Sequence, residues 1–425
     1  MKFCFSLFCL LTLFAKAQTI QQCKQRFDNY LNFKGSLNGS VKFENDALYL
    51  MSGGKKEFAV YANEVGVLSD FFQHTSLKQQ DQLMQAKGLK KFTKLQLDSL
   101  VLLSKKPEHP NEKTPEQPLK GYRIALDPGH FSTNLTDAQS EQKYLFFVPD
   151  TLRGRSDTVK IFESQLTFNT AHILKSMLEA KGAEVFISRN RADFTSFNCT
   201  YPDWIKNHRK RSLDSLKQNG SLSAEKYNKL LKCNNYTLFW DFFRDYDLAN
   251  RSNKINAFAP DVTIIIHYNV DEKNAPWKQH TKKNFSMTFI GGAFTADNLS
   301  RNESRINFMR LLISDQLNRS EDLSAKTVSN FNKILEIPIA RAVDADYLKD
   351  NCLITASPGV FCRNLALCRK INSPLVYGES LYQDNEKETA LLMRSDLDLY
   401  GIKANERLNK VAQSYYDALV SFLKK

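Results

Sequence analysis

The sequence predicts an α/β protein, in which a three-layer α/β/α domain surrounds a mostly parallel, mixed sheet of about six strands. Short apolar runs such as YRIALD, AEVFISR and SPLVYGES alternate with helical patterns, as they do in βα units. The run VTIIIHYN, residues 262–269, has no polar interruption across its isoleucines, which indicates a strand covered on both faces. Residues 163–182 have apolar positions at helical spacing and end on Gly182, which is typical of a crossover helix.

Residues 1–17 are predicted to be a secretory signal peptide. MKFCFSLFCLLTLFAKA has one early lysine, an apolar run and small residues at Ala15 and Ala17, which is the pattern of a cleaved signal. The apolar run is shorter than the ~20 residues of a spanning helix, so a membrane anchor is the less favoured interpretation. We expect export to the periplasm or beyond the cell, with wall or membrane association left open.

Residues 18–104 are predicted to form a small, mainly helical N-terminal unit, whose role the sequence leaves open. TIQQCKQRFDNYLNF, FAVYANEVGVLSDFF and LQLDSLVLL suggest helices, and SVKFENDALYLMS suggests a hairpin. Residues 105–120 contain four prolines and no large apolar residue before Leu119, which indicates a linker. The main domain is therefore expected over residues 121–425.

Two further segments of the main domain stand out. The stretch KYLFFVPD…DTVKIF suggests a hairpin, and residues 193–246 suggest a helical insert crowded with aromatic side chains, including Trp204 and Trp240. These aromatics either pack the insert onto the domain or offer a platform to a sugar or peptide. We favour the packing interpretation.

Cysteine usage and charge restrict the class of protein. Six cysteines remain once Cys4 and Cys9 leave with the signal, and export permits disulfides, of which Cys199–Cys233 is the favoured pair because both flank the insert. None has the C-x-x-C spacing of a thiolate zinc site. The formal charge of +13 falls to +11 without Lys2 and Lys16, which suits an anionic partner such as a cell-wall polymer. Lysines and arginines are scattered and no nucleic-acid-reading motif is present, so no nucleic-acid partner is expected.

Two of the predicted strands end in a histidine, RIALDPGH at His130 and VTIIIHYN at His267. Because the carboxyl ends of parallel strands meet at one sheet edge, the two imidazoles can converge on a metal ion. Glu163, at the start of a predicted helix, is the candidate third ligand, although the helix dipole alone would favour a carboxylate there. Glu379, just past the end of SPLVYG, faces the same edge and is the candidate for moving protons.

These segments together resemble the zinc-dependent N-acetylmuramoyl-L-alanine amidases, which are cell-wall hydrolases with a His-Glu-His metal site and a C-terminal catalytic glutamate. The matching residues are Asp127-Pro128-Gly129-His130, Glu163 with the following KGAEVFISR, Arg251 and Asn256 with IIHYN, and Pro374, Glu379 and Asn385. The resemblance covers about residues 121–425 and leaves both the insert and the N-terminal unit unmatched.

The resemblance implies one Zn²⁺ per catalytic domain, held by His130, Glu163 and His267, with Glu379 as general base. The bond cleaved would join the lactyl group of N-acetylmuramic acid to L-alanine of the peptidoglycan stem peptide. The partners would be peptidoglycan or muropeptides, with a periplasmic activator or regulator as a further candidate. Two alternatives stay open: a catalytically inactive or regulatory peptidoglycan-binding protein on the same fold, and a zinc peptidase acting on wall peptides. The sequence does not indicate an oligomeric state.

Three further residues are candidates for orienting the ligands or contacting the substrate: Asp127, Asn269 and Arg251. For Asp127, a turn-forming role before Pro128 is an equal alternative. The sequence also departs from the family, because HFSTN follows His130 in place of the usual H-G-G-x-D, and Tyr268 stands where a small residue is common. We expect both changes to alter the shape near the metal without removing a ligand.

Overall fold

A computed structural model describes residues 19–104, 113–148, 158–274, 277 and 279–424. The predicted signal peptide and half of the predicted linker lie outside the described residues. The strands are β1 (Val41–Phe43), β2 (Ala47–Ser52), β3 (Lys55–Tyr61), β4 (Arg123–Pro128), β5 (Tyr144–Phe147), β6 (Val159–Phe162), β7 (Glu184–Ile187), β8 (Val262–Asn269), β9 (Met287–Ile290), β10 (Leu353–Ile354), β11 (Val360–Cys362), β12 (Leu375–Tyr382), β13 (Leu397–Leu399) and β14 (Ile402–Ala404).

The α-helices alternate with these strands through the main domain. They are α1 (Ile20–Arg26), α2 (Val65–His74), α3 (Leu77–Lys87), α4 (Lys94–Leu103), α5 (Leu135–Glu141), α6 (Glu163–Glu179), α7 (Tyr201–Asn207), α8 (Arg209–Gln218), α9 (Ala224–Lys232), α10 (Asn235–Leu238), α11 (Arg244–Phe258), α12 (Ala296–Leu299), α13 (Asn302–Ile313), α14 (Gln316–Leu335), α15 (Asp346–Asn351), α16 (Ala366–Lys370), α17 (Glu386–Leu392) and α18 (Glu406–Leu423). None of the described helices combines the length and the apolar character that crossing a bilayer requires.

The central sheet has seven strands in the order β10-β11-β9-β12-β8-β4-β7. Strands β12, β8, β4 and β7 run parallel, whereas β9 is antiparallel to β12 and β10 is antiparallel to β11. The sheet is therefore mixed and mostly parallel, as predicted, with one strand more than expected. The edge strands β10 and β11 have two and three residues, which is too short for a recognisable periodic pattern.

Side chains of β8 alternate between the two faces of the sheet, and each face is covered by helices. Ile264 and Ile266 pack with α6, α14 and α18, whereas Ile265 packs with α11 and α16 on the other side. All three isoleucines are fully buried, which explains the uninterrupted apolar run in the sequence. The three-layer α/β/α architecture is confirmed.

The N-terminal unit is mainly helical, as predicted, and it also contains a three-stranded antiparallel sheet. Strands β1 and β2 form the expected hairpin, while β3 takes up part of a stretch that had suggested a helix. The unit shares a hydrophobic core with the main domain, in which Phe27 contacts Phe308 on α13 at 6.5 Å between ring centroids. Arg26 Nε also donates to the carbonyl of Leu312 at 2.8 Å. The exact domain boundaries stay a prediction.

The insert encloses a core of its own, which includes Tyr201, Trp204, Phe239 and Phe243. This supports the packing interpretation of its aromatics. Cys199 and Cys233 lie within the insert and are free thiols, so the favoured disulfide is not formed in this structure. The sulfur of Cys233 instead lies 3.7 Å from the carbonyl of Leu230 and 3.7 Å from the guanidinium of Arg209.

Candidate metal centre

The structure brings the three predicted ligands together at the carboxyl edge of the sheet. His130 follows β4, His267 lies near the end of β8, and Glu163 is the first residue of α6. Their ligand atoms all lie within 4.8 Å of one another. Glu163 is central, because its two carboxylate oxygens lie 3.0 Å from His267 Nδ1 and 3.4 Å from His130 Nε2.

The DPGH turn allows the two imidazoles to approach each other. A Cβ on Gly129 would lie 2.2 Å from Cε1 of His267, so only glycine leaves room for that ring. His130 itself has a φ of 59°, in the left-handed region that few residues other than glycine adopt. Arg189 donates to the carbonyls of Pro128 at 3.3 Å and Gly129 at 3.0 Å, and Arg251 donates to that of Pro128 at 3.2 Å. The two arginines therefore hold the backbone of the turn in place through its carbonyl groups.

Glu141, which the sequence analysis missed, positions His130. Its Oε1 lies 3.0 Å from His130 Nδ1, and its Oε2 accepts from the backbone amides of Phe131 at 3.2 Å and Ser132 at 3.0 Å. A carboxylate on the far nitrogen of an imidazole fixes the tautomer and ring orientation that a metal ligand needs. The sequence offers only the N-cap at Asn134 as a sign of the short helix α5 that carries Glu141, and this does not single out the glutamate.

Burial and the short distances between the ionisable groups together shift the pKa values of the cluster. Burial opposes a charged His130, but the carboxylates of Glu163 and Glu141 outweigh it and raise the pKa of His130 to about 9. Burial lowers the pKa of His267 to about 4 despite the contact with Glu163. The two histidines hold the pKa of Glu163 well below its usual range, although burial acts in the opposite direction. The cluster thus attracts a cation, and a metal ion binding there would displace a proton from His130.

Glu379 lies beside the cluster on the neighbouring strand. Its Cα is paired with that of His267 across β12 and β8, and Tyr377 on the same strand stacks on the His267 ring at 4.4 Å between centroids. The strand continues to Tyr382, so Glu379 lies within β12 rather than just past its end. Its Oε2 is buried and has no hydrogen-bond partner among the described residues. Burial, with the charge of Glu163, raises the pKa of Glu379 to about 8, and such a carboxyl group is suited to proton transfer.

Asp127 and Arg251 are buried beneath the turn. Asp127 accepts from the hydroxyl of Ser188 and lies 3.7 Å from Arg251, and it makes no hydrogen bond with either histidine in the described part of the chain. Glu141, and not Asp127, therefore makes the hydrogen bond to His130 in this structure, and a role of Asp127 in orienting a ligand stays a prediction. Arg251 also donates to Asp247 at 2.8 Å, and both residues line the cleft beside the histidines, so Arg251 holds the turn and remains a candidate for substrate contact.

Asn269 and Tyr268, at the end of β8, have their side chains engaged elsewhere. Asn269 donates to the hydroxyl of Tyr347 at 3.0 Å and accepts from the backbone of Val270 at 2.9 Å. The hydroxyl of Tyr268 lies 2.6 Å from that of Thr170 in the core, on the face opposite His267. The expectation that Tyr268 reshapes the metal environment is wrong, because strand residues alternate between faces.

The loop HFSTN that follows His130 contacts the insert. Phe131 packs into the core of the insert, 6.0 Å from Tyr201 and 6.0 Å from Phe239 between ring centroids. A second residue that the sequence did not reveal is Gln383, whose Nε2 donates to Glu163 Oε2 at 3.2 Å and to the carbonyl of Tyr268 at 3.1 Å. The amide therefore restrains the carboxylate of Glu163.

A cleft of about 180 Å³ opens beside the histidines. Its lining includes Lys143, Phe239, Trp240, Leu367 and Tyr377, together with His130 and His267. The insert therefore supplies one wall of the cleft in addition to forming its own core. The indole nitrogen of Trp240 is buried without a hydrogen-bond partner in the described part of the chain.

The donor set fits a zinc ion. Two imidazoles and one carboxylate are the protein ligands of many catalytic zinc sites, which keep a further position open. The side chain of His130 is 17% exposed where it meets the cleft, so the cluster is accessible from one side. Glu141 and Gln383 provide the outer hydrogen bonds that such ligands require.

Comparison with models of protein families identifies one family. A family model described as N-acetylmuramoyl-L-alanine amidase matches residues 124–420. Similar solved structures include the CwlD amidase from Clostridioides difficile in complex with the GerS lipoprotein, at 16% identity over 71% of this chain and 98% of that chain, with a TM-score of 0.36. Another is the apo form of the amidase Ami1 from Mycobacterium abscessus, at 15% identity over 72% and 99%, with a TM-score of 0.37. No curated protein matches the chain.

Proposed function

The chain belongs to the N-acetylmuramoyl-L-alanine amidase family, and on that basis we propose that it hydrolyses the amide bond between the lactyl group of N-acetylmuramic acid and L-alanine of the peptidoglycan stem peptide. One observation carries the proposal: Glu379, with an unpartnered carboxyl oxygen, lies next to the cluster of His130, Glu163 and His267. An intact cluster of this kind also speaks against an inactive relative that only binds peptidoglycan.

We propose that His130, Glu163 and His267 hold one zinc ion. Zinc bound at such a site polarises a carbonyl group and lowers the pKa of water. Glu141 keeps Nε2 of His130 turned toward the cluster by occupying Nδ1, and Gln383 fixes one oxygen of Glu163. These hydrogen bonds reduce the movement that the ligands would need when the ion binds.

Glu379 is proposed as the general base and then the general acid. As a carboxylate it takes a proton from the water that attacks the lactyl carbonyl, and it afterwards gives that proton to the departing nitrogen of L-alanine. The environment that raises its pKa toward neutrality suits a group that must both accept and release a proton. Phe239 and Trp240 contribute apolar surface to the cleft beside His130 and His267, which limits the access of water from that side.

Substitution of the base tests this assignment. We expect Glu379→Gln to retain bound zinc and to lower the release of stem peptide from purified sacculi by about 10²-fold or more. The side-chain amide that replaces the carboxylate cannot accept the proton. Glu386→Gln is the matched control, because Glu386 is an exposed carboxylate on α17 in the same region of the chain. Full activity in Glu379→Gln would refute the assignment.

Product analysis separates the proposed activity from the alternatives. Mass spectrometry of sacculus digests should show free stem peptides for an amidase, whereas a zinc peptidase would leave shortened muropeptides. A zinc-loaded protein that releases neither would be a binding or regulatory protein. Chelation of the zinc should abolish release, and zinc added back should restore it.

We also propose that the protein is exported and acts outside the cytoplasm on peptidoglycan. The proposed signal, residues 1–17, lies outside the described part of the chain, so the support comes from its sequence pattern. Fractionation of cells that produce the full chain, with N-terminal sequencing of the mature protein, tests this. The same cells allow copurification of the periplasmic regulator that the family resemblance suggests.

A further inference from the structure

A second cavity, of about 500 Å³, lies at the opposite edge of the sheet from the candidate metal centre. It is lined by the corner between α2 and α3, by the segment that leads from α11 into β8, by the segment that precedes β12, and by residues of α13 and α14. Strands β8 and β12 begin here and carry His267 and Glu379 near their other ends, so the two sites are separate. The volume lies within the range of small-molecule binding sites.

Asn307, on α13, is a buried residue of the cavity lining. It is 4% exposed, and its Nδ2 has no hydrogen-bond partner among the described residues. A buried amide donor without an acceptor is costly, so a bound carbonyl oxygen would stabilise it. Asn372 and Asn253 also line the cavity, and their side-chain amides make no hydrogen bond within the described part of the chain. The cavity therefore offers several amide groups that are free to bind a polar ligand.

The charges around the cavity are balanced. Its lining contains the cations Lys370 and Arg319, the carboxylates Glu303 and Asp261, and the imidazole of His74. Lys370 and Glu303 form an ion pair with each other, and Asp261 accepts from the backbone amide of Arg123 at 2.8 Å. Such a lining favours an uncharged ligand over an anionic one.

Apolar groups lie among the amides. Leu77, Ala257, Pro260 and Pro374 contribute hydrocarbon surface to the same cavity. A ligand that matches this lining combines a carbonyl acceptor with a small apolar group and carries no net charge. An acetamido group has these properties, whereas a stem peptide carries carboxylates.

We propose that this cavity is a noncatalytic binding site for an N-acetylated amino sugar of the glycan strand. The acetamido carbonyl accepts from Asn307, and its methyl group packs against the apolar part of the lining. The assignment of the sugar to peptidoglycan rests on the proposed function. The cavity and the unpartnered Nδ2 of Asn307 are observed independently of it. Because residues 73–80 form one wall, the site gives the N-terminal unit a role in holding the polymer.

Binding of an uncharged oligosaccharide tests the proposal with the full zinc-loaded protein. By isothermal titration calorimetry, the wild type should bind triacetylchitotriose and should not bind cellotriose, which lacks the acetamido groups. Asn307→Leu, which removes the donor at similar volume, should weaken binding about three- to tenfold, as loss of one hydrogen bond does. Asn372→Ala should weaken it as well, whereas Asn351→Ala, at an exposed asparagine on α15, should not.

Several results would overturn the proposal. These are no binding of triacetylchitotriose to the wild type, equal binding by wild type and Asn372→Ala, or Asn307-dependent binding of a stem peptide in place of the sugar. Asn372 is only half-buried, so its variant keeps the test decisive if Asn307→Leu does not fold. The outcome is independent of catalysis: a protein that binds the sugar but cleaves no sacculi would contradict the proposed function and leave this site supported.

Discussion

Gly129→Ala tests whether the metal centre requires the close approach of the DPGH turn to the His267 ring, because it changes no ligand. The backbone of Gly129 lies outside the left-handed region, so alanine suits its conformation. The added methyl group, however, would lie 2.2 Å from Cε1, 2.5 Å from Nε2 and 2.6 Å from Nδ1 of His267. The methyl group therefore faces the whole imidazole, and the ring cannot avoid it by rotating in its own plane.

The size of the displacement follows from these distances. Ordinary contact begins at 3.4 Å, so the ring of His267 or the DPGH turn must move by about 1.2 Å, compared with the ~0.2 Å that metal–ligand distances tolerate. Movement of the turn is opposed by Arg189 and Arg251, which hold its carbonyls. We expect zinc affinity to fall at least about tenfold, and stem-peptide release to fall about 10²-fold, as a misplacement of 1 Å commonly causes.

Zinc affinity would be measured by competition with a chromophoric chelator, and activity by release of stem peptide from sacculi. Gly66→Ala is the matched control, because Gly66 lies in α2 with nothing within 4 Å of the added methyl group. That variant should keep its zinc and gain about 0.5–1 kcal/mol of stability, since alanine favours a helix over glycine. Gly129→Ala with zinc affinity and activity within threefold of wild type would refute the reasoning.

Two further substitutions test other parts of the structure. Glu141→Ala removes the partner of His130 Nδ1, so zinc affinity should fall about 10–100-fold by the same competition assay; unchanged affinity would show that Glu141 does not position the ligand. Burial raises the pKa of Asp384 from 3.8 to about 6. The protonated carboxyl group therefore contributes to the free energy of unfolding below pH 4, and this contribution, about 3 kcal/mol, is lost as the pH rises through 6. Asp384→Asn should lack this loss, so its melting temperature should exceed that of wild type increasingly from pH 4.5 to 7.5; a constant difference would contradict the assignment.

The sequence predicted the candidate ligands because each one lies at a place that local pattern defines. His130 and His267 follow apolar runs that can only be strands, and Glu163 starts a helix whose periodicity is clear. Strand ends and helix starts are fixed by hydrogen-bonding requirements, so their residues can be assigned to one sheet edge without knowledge of the packing. The same reasoning gave the three layers and the order of most elements.

The residues around the ligands could not be found in this way. Glu141 lies on a seven-residue helix, and Gln383 follows the bulge in β12; both reach the cluster through loop conformation. Asp127 shows the same limit from the other side, since its place in the DPGH motif suggested a contact with a histidine, whereas its carboxylate accepts from the hydroxyl of Ser188. Sequence spacing defines the face of a strand, but tertiary packing decides which atoms meet there.

The position of Glu379, the proposed base, relative to the ligand His267 is set by the register of two strands and not by a loop. Glu379 and His267 are paired across the parallel strands β12 and β8, which places their Cα atoms at the ~4.8 Å spacing of neighbouring strands. A slip of one residue would turn Glu379 to the other face and expose buried neighbours such as Val376. The hydrophobic core that fixes this register therefore also fixes the position of the proposed base relative to the metal ligand. The ladder irregularity occurs only after Glu379, between Glu379 and Tyr382.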